Sequence, residues 1–293
     1  MSALWDSIAA AIGAASGEVF KPQSPRRVGG GDINDAYTLD DGRRRWFIKL
    51  NAATRIDMFA AEVDGLREIA ATGALRVPQP LCHGSAAGRA YLVLEWLDLS
   101  GRGNQEKLAH RLADLHRHTR ADYGWFRDNT IGATVQPNAP CADWAAFWRE
   151  RRLGHQLTLA AGAGNRALIE RGEALLARLP EFFSGYTPAA SLLHGDLWAG
   201  NAAATAGGEP VIFDPAVYYG DREADLAMTE LFGGFSERFY AAYREAWPLD
   251  PGYERRKTLY NLYHVLNHYH LFGGGYGQQA VRMMERLLGE LRA

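Results

Sequence analysis

The sequence predicts an α+β chain of two lobes: a small β-rich lobe at the N-terminus and a larger, mainly α-helical lobe after it. Three observations carry this. Two apolar runs flank Asp40-Asp41-Gly42, which reads as a β-hairpin. A continuous apolar run, AYLVLEWLDL (90–99), reads as a further strand and is followed by the glycine-rich SGRGN. Beyond that point most apolar patterns have helical spacing. The glycine shift places the boundary near residue 98, with a nucleotide-binding lobe expected over 1–98 and a catalytic and substrate lobe over 99–293.

The elements follow in order. Residues 4–15 have helical spacing and stop near Gly17. Arg26-Arg27-Val28 leads into GGGDIN, whose triple glycine reads as a tight loop between strands, and Arg43-Arg44-Arg45 reads as the solvated end of the hairpin. MFAAEVDGLREIAATG (58–73) is a helix with a glycine stop, and the prolines of VPQPLCHGS suit an edge strand or an extended link. After residue 104, QEKLAHRLADLHRHT and residues 143–159 and 165–179 read as helices. SLLHGDLWAGN and EPVIFDPA are strand-and-loop segments, and the remainder is helical.

Composition narrows the classes. With 47% hydrophobic and 23% charged residues the chain is globular. A net charge of -2 removes the electrostatic case for nucleic acid as a partner. No apolar run approaches the roughly 20 residues that span a bilayer, so no membrane role is expected. The N-terminal stretch lacks a basic region, and Asp6 interrupts its apolar run, unlike a signal peptide. Two cysteines, Cys82 and Cys141, are too few for a disulfide scaffold; buried free thiols and a cytoplasmic location are expected.

The segment that carries chemistry is LLHGDLWAGN (192–201). Alone it suits a hydrolase turn, a metal site or the catalytic loop of a phosphoryl-transfer enzyme. Order and spacing favour the third. A glycine loop (Gly29, Gly30, Gly31) lies between strands, Lys49 sits on the next strand, and Glu62 lies in the following helix. Asp196, Asn201 and Asp214 come later in the chain. Phosphoryl transfer needs positioning and cations more than covalent help. Glycines let N–H groups approach phosphates. A strand lysine neutralises them, and a glutamate holds the lysine. One aspartate accepts the acceptor hydroxyl's proton, and an asparagine with a second aspartate offers the oxygen ligands that Mg²⁺ prefers. The step from Asp196 to Asn201 is that of H-x-D-x-x-x-x-N. No Gly-Lys-Ser/Thr follows the glycines, so the loop is not of the Walker A type.

HGDLWAGN, FDPAVYYGDREADLAMTELFGGF, YNLYHVLNHYHLFGGGYG and GGGDIN together resemble the fructosamine kinase (ketosamine-3-kinase) family, over about residues 26–290. The resemblance implies a protein-kinase-like fold related to aminoglycoside phosphotransferases and choline kinases, with ATP and Mg²⁺ as cofactors. It implies Asp196 as catalytic base, Asn201 and Asp214 as metal ligands, and Lys49 with Glu62 as an ion pair. Gly29, Gly30 and Gly31 would cover the phosphates, and the backbone at Glu95 and Leu97 would hold adenine. Trp198 would form part of the sugar pocket, and Asp225 would brace the catalytic loop from a buried helix. His194 is expected to orient that loop.

Two departures stand out. Asp32 occupies a place where many relatives carry a cysteine that pairs between subunits, so a monomer or a non-covalent homodimer is expected. Asp-Pro-Ala replaces Asp-Phe-Gly, as in the family, so a flipping phenylalanine is not assumed. His110, His116 and His118 are expected to be solvated. His264 and His268 are an i,i+4 pair that reads as packing or substrate-side residues before it reads as zinc ligands. The implied reaction is phosphorylation of the 3-hydroxyl of ketosamines, free or on protein lysines, leading to deglycation. The rivals are a kinase of an aminoglycoside or amino alcohol, a nucleotide-binding pseudokinase, and a metal-dependent hydrolase. The last would need a water-activating cluster that the sequence does not offer.

Overall fold

The computed structural model describes residues 2–29, 33–162 and 165–291. The chain divides into two compact units, Met1–Gly103 with Ala203–Asp214, and Asn104–Ala202 with Pro215–Ala293. Among the described residues no helix is long and apolar enough to cross a membrane.

The first unit opens with α1 (Ala3–Ser16), which ends at Gly17 in the left-handed region (φ 74). Five antiparallel strands follow: β1 (Arg26–Val28), β2 (Asp35–Asp40), β3 (Arg45–Ala52), then, after α2 (Ile56–Ala71), β4 (Pro80–Ala86) and β5 (Arg89–Glu95). Their order is β1-β2-β3-β5-β4, so the proline-bearing β4 is an edge strand. The strand expected over 90–99 stops at Glu95. Alternation along β3 sets the chemistry. Ile48 and Leu50 join the core formed with Ile8, Ile12, Leu39 and Val93, so Lys49 between them faces the other side of the sheet. The arginine run is not wholly solvated: Arg44 is tied to Asp41 (3.2 Å) and donates to the Val19 carbonyl (2.9 Å).

The second unit begins with α3 (Gln105–His116), capped by the Asn104 side chain accepting from the Lys107 N–H. Next come β6 (Thr119–Arg120), the hairpin β7 (Asn129–Ile131) and β8 (Thr134–Gln136), α4 (Trp144–Phe147), a π-helical stretch Trp148–Leu153, α5 (Gly154–Ala161), α6 (Arg166–Arg178) and β9 (Ala190–Leu193). The helix expected over 143–159 is therefore wound more widely at its middle. The hairpin β10 (Ala202–Ala204) and β11 (Pro210–Ile212) then rejoins the first unit, where the Ile212 N–H donates to the Arg76 carbonyl (3.0 Å). The second unit resumes with β12 (Tyr218–Gly220), which pairs with β9, and with α7 (Glu223–Leu231), α8 (Glu237–Ala246), α9 (Tyr253–Phe272) and α10 (Tyr276–Glu290). α9 is buried over most of Tyr253–Asn267 and forms the axis of this unit's core.

Candidate active site

In the first unit Lys49 is buried between two carboxylates. Its ammonium donates to Glu62 Oε1 (2.6 Å) and Asp214 Oδ1 (2.7 Å). Burial alone would lower the Lys49 pKa, but the charges of Asp214 and Glu62 overcome it and hold the ammonium above its ordinary range. Burial pushes the Glu62 carboxyl up, and Lys49 opposes it. Asp214 takes a left-handed backbone (φ 57), which is uncommon outside glycine and concentrates at functional sites. Its side chain is 47% exposed, so the carboxylate reaches the surface while one oxygen stays on Lys49.

Gly29 lies exposed at the end of β1, while Gly30, Gly31 and Asp32 lie outside the described residues. Asn51 fixes the chain just after them, donating to the Ile33 carbonyl (3.0 Å) and to Asn34 Oδ1 (2.7 Å). Glu95 closes β5 with its side chain engaged by Arg76 and by the Gln79 N–H (3.2 Å). Its side chain is thus committed to structure, and Leu97, half-buried, lies two residues past the strand.

In the second unit the loop after β9 carries Asp196. Asp225 on α7 accepts from the N–H groups of His194 (2.7 Å) and Gly195 (2.8 Å), as the bracing role requires. Gly195 has φ 82, and a Cβ there would lie 2.1 Å from the Ala216 carbonyl oxygen, so only glycine fits. His194 Nδ1 accepts from the Asp196 N–H (3.2 Å); its imidazole shapes the turn. The Asn201 amide donates to the Asp196 carbonyl (2.9 Å), which leaves its Oδ1 as the atom able to act as a ligand. Trp198 is 41% exposed, and its indole lies over Gly200, where a Cβ would meet the ring at 2.1 Å. Phe232, 45% exposed, meets it edge-on at 6.5 Å.

The expectation of a solvated His116 is overturned. His116 is fully buried, with Nε2 3.2 Å from Asp225 and Nδ1 2.7 Å from the Tyr243 hydroxyl. Arg222 donates to that hydroxyl (3.2 Å), so Tyr243 gives its own proton to Nδ1, and Nε2–H faces Asp225. Burial holds His116 below its usual pKa against the pull of Asp225. Burial alone would raise Asp225, but the hydrogen bond from His116 and the loop N–H groups hold it low. The signal was present in the sequence: Leu108, Leu112 and His116 recur every four residues, on one face of α3. His110 and His118 are exposed, as expected.

His264 is buried and pushed down to about 3 by desolvation, and its carbonyl lies 2.8 Å from His268 Nδ1. Among the described residues no cluster of three or more His, Cys, Asp or Glu could hold a metal. The cysteines are free and half-buried, short of the full burial expected, and burial pushes the Cys82 thiol up to about 11. The oxygen donors of Asp214 and Asn201 suit a hard cation.

Comparison with known proteins gives a consistent result. The fructosamine kinase family model matches residues 4–290. A probable ketoamine kinase of Synechocystis sp. is 50% identical over 289 residues, covering 97% of each chain. A protein-ribulosamine 3-kinase, chloroplastic, of Oryza sativa subsp. japonica is 39% identical over 94% of this chain and 82% of its own. A crystal structure assigned to a fructosamine-3-kinase of Haemophilus somnus superposes with a TM-score of 0.90 at 30% identity, over 98% of both chains.

Proposed function

The chain belongs to the fructosamine kinase family and has its protein-kinase-like fold, and from that membership we propose that it transfers the γ-phosphoryl group of ATP to the 3-hydroxyl of ketosamines. A 3-phosphate is a good leaving group, so the adduct then releases its amine, which makes the reaction a deglycation step. The observation that carries this reading is the buried Lys49, held by Glu62 and by the carboxylate of Asp214. A lysine kept charged inside the fold is suited to phosphate oxygens.

The roles follow the chemistry of each group. Gly29, Gly30 and Gly31 cover the phosphates, and the backbone at Glu95 and Leu97 receives the adenine. Asn201 Oδ1 and Asp214 would hold Mg²⁺, and the bound ion would supply charge neutralisation at the phosphates. Asp196 accepts the proton of the attacking hydroxyl, in a loop that Asp225 and Gly195 fix. Trp198 offers its indole face to the C–H side of the sugar and to a nearby ammonium.

The test is to incubate the protein with ATP, Mg²⁺ and a panel of fructosamines, ribulosamines and aminoglycosides, following ADP release. Turnover confined to ketosamines supports the reading. Turnover with an aminoglycoside alone would assign another acceptor.

A further inference from the structure

One group of buried polar residues in the second unit belongs to no motif. Asn129, Gln136, Asn138 and Arg152 are each at most 7% exposed. Arg152 comes from the π-helical stretch, a kind of irregularity found often at functional sites. Its guanidinium lies over the Tyr218 ring (4.0 Å) and donates to Asn138 Oδ1 (2.7 Å) and to the Pro137 carbonyl (2.6 Å). Arginine can only donate, so Asn138 must turn its oxygen to Arg152 and its amide nitrogen away. That nitrogen donates to Asn129 Oδ1 (2.9 Å), and Asn129 Nδ2 then donates to the Val217 carbonyl (2.7 Å). A second branch begins at Tyr263, whose hydroxyl donates to Gln136 Oε1 (2.7 Å). The Gln136 nitrogen donates to Asn129 Oδ1 (2.8 Å) and to the Ala216 carbonyl (3.1 Å). Every amide in the group thus points its donor the same way, and both branches end on consecutive main-chain carbonyls.

Those carbonyls lie two and three residues after Asp214 in the chain. The Ala216 peptide also touches the catalytic loop: its N–H donates to the His194 carbonyl (2.8 Å), and its oxygen occupies the space a side chain at position 195 would need. We propose that Gln136 and Asn129 are positioning residues for phosphoryl transfer. Their donors fix the Ala216 and Val217 peptides, and through them the turn of His194-Gly195 that presents Asp196 and the path of the chain leaving Asp214. Asp-Pro-Ala has no phenylalanine to anchor this segment, and the β7–β8 hairpin supplies the anchor from outside it. The direction of the relay is set by Arg152 and Tyr263. The proposal rests on the kinase reading for the role of Asp196.

Three proteins test it: wild type, Gln136→Ala and Tyr263→Phe, each measured for kcat, both KM values and melting temperature. Gln136→Ala removes the donor to Ala216. Its kcat should fall about tenfold, the scale of one buried hydrogen bond, with the Mg·ATP KM raised and the ketosamine KM within about twofold of wild type. Tyr263→Phe keeps Gln136 but frees its amide to turn over, and a smaller fall in kcat with the same split is expected. Unchanged kcat and KM in folded Gln136→Ala, with only the melting temperature lowered, would overturn the proposal. If Gln136→Ala does not fold, Tyr263→Phe decides by the same criterion. A wild type without ketosamine turnover would instead sink the kinase reading. The relay would then be judged by hydrogen exchange at the Ala216 amide, where protection lost in Tyr263→Phe supports it and unchanged protection refutes it.

Discussion

Lys49 and Asp196 are held in place by opposite means. Lys49 is fixed by charge, with two carboxylates within 2.7 Å of a buried ammonium. Asp196 is fixed through its backbone: its loop hangs by two N–H groups on Asp225, and neutral amides hold the neighbouring peptides. The difference fits the roles proposed for the two residues. A phosphate-binding lysine must stay charged when buried, and only nearby anions ensure that. The proposed base is positioned mainly through the chain around it, with the Asn201 amide also 3.4 Å from its Oδ2.

The largest effect is expected where the grip is indirect. Asp196→Asn keeps the shape but loses the proton acceptor, and turnover should fall by on the order of 10² to 10⁴. Nucleotide titration should still show binding, because the Lys49 group is untouched; near wild-type turnover would end the proposed mechanism.

Removing the brace should show in stability. Asp225→Ala strips the acceptor from His194, Gly195 and His116 at once, a loss of about 3 kcal/mol or more for buried groups left unpaired. Denaturant unfolding measures it, and a variant as stable as wild type would mean that the loop is held by something else.

Trp198→Ala is a local change by comparison. Losing one aromatic wall should raise the ketosamine KM by the equivalent of roughly 1 to 3 kcal/mol, with the ATP KM little changed. If Trp198 merely packs, the melting temperature falls and both KM values stay put. Its exposure and its edge contact with Phe232 favour the first outcome.

Acid should loosen the second unit. The folded pKa of His264 is depressed from 6.5 to about 3, so the folded state resists a proton that the unfolded chain accepts. This stability is fully present above pH 6.5 and is lost as pH falls toward 3. His264→Gln should flatten the fall in melting temperature over that window, and an equally steep fall would assign it to other groups.

The smallest expected effect is that of oxidant. Asp32 stands in the glycine-rich stretch, and with the Cys82 thiol pushed up to about 11 little Cys82 thiolate exists at neutral pH. A non-reducing gel should show no dithiothreitol-reversible dimer; a dimer would place a reactive cysteine at Cys82 or Cys141.

The Lys49–Glu62 pair was legible in the sequence because both sit on elements that their flanking patterns define, whereas the second carboxylate on Lys49, that of Asp214, was expected only as a metal ligand. Asp196 and Asn201 were legible from their five-residue step. The supports around Asp196 were harder. His116 sat among charged residues that masked its place on the Leu108–Leu112 face. Asn129 and Gln136 lie on strands too short for an alternating pattern, Asn138 lies in the loop after them, and the π-helical turn shifts Arg152 off the regular helical period. The return of residues 203–214 to the first unit is made by main-chain bonds, such as the Ser100 N–H on the Ala204 carbonyl (2.7 Å), which no side-chain pattern announces.

The central claim is most directly tested by the product itself. Wild-type protein with ATP, Mg²⁺ and a fructosamine should yield ADP and a ketosamine phosphorylated at the 3-hydroxyl in equal amounts, seen by ³¹P NMR, with release of the amine afterwards. EDTA should stop the reaction and added Mg²⁺ restore it. ADP formed without any sugar phosphate, or turnover that persists in chelator, would contradict the account.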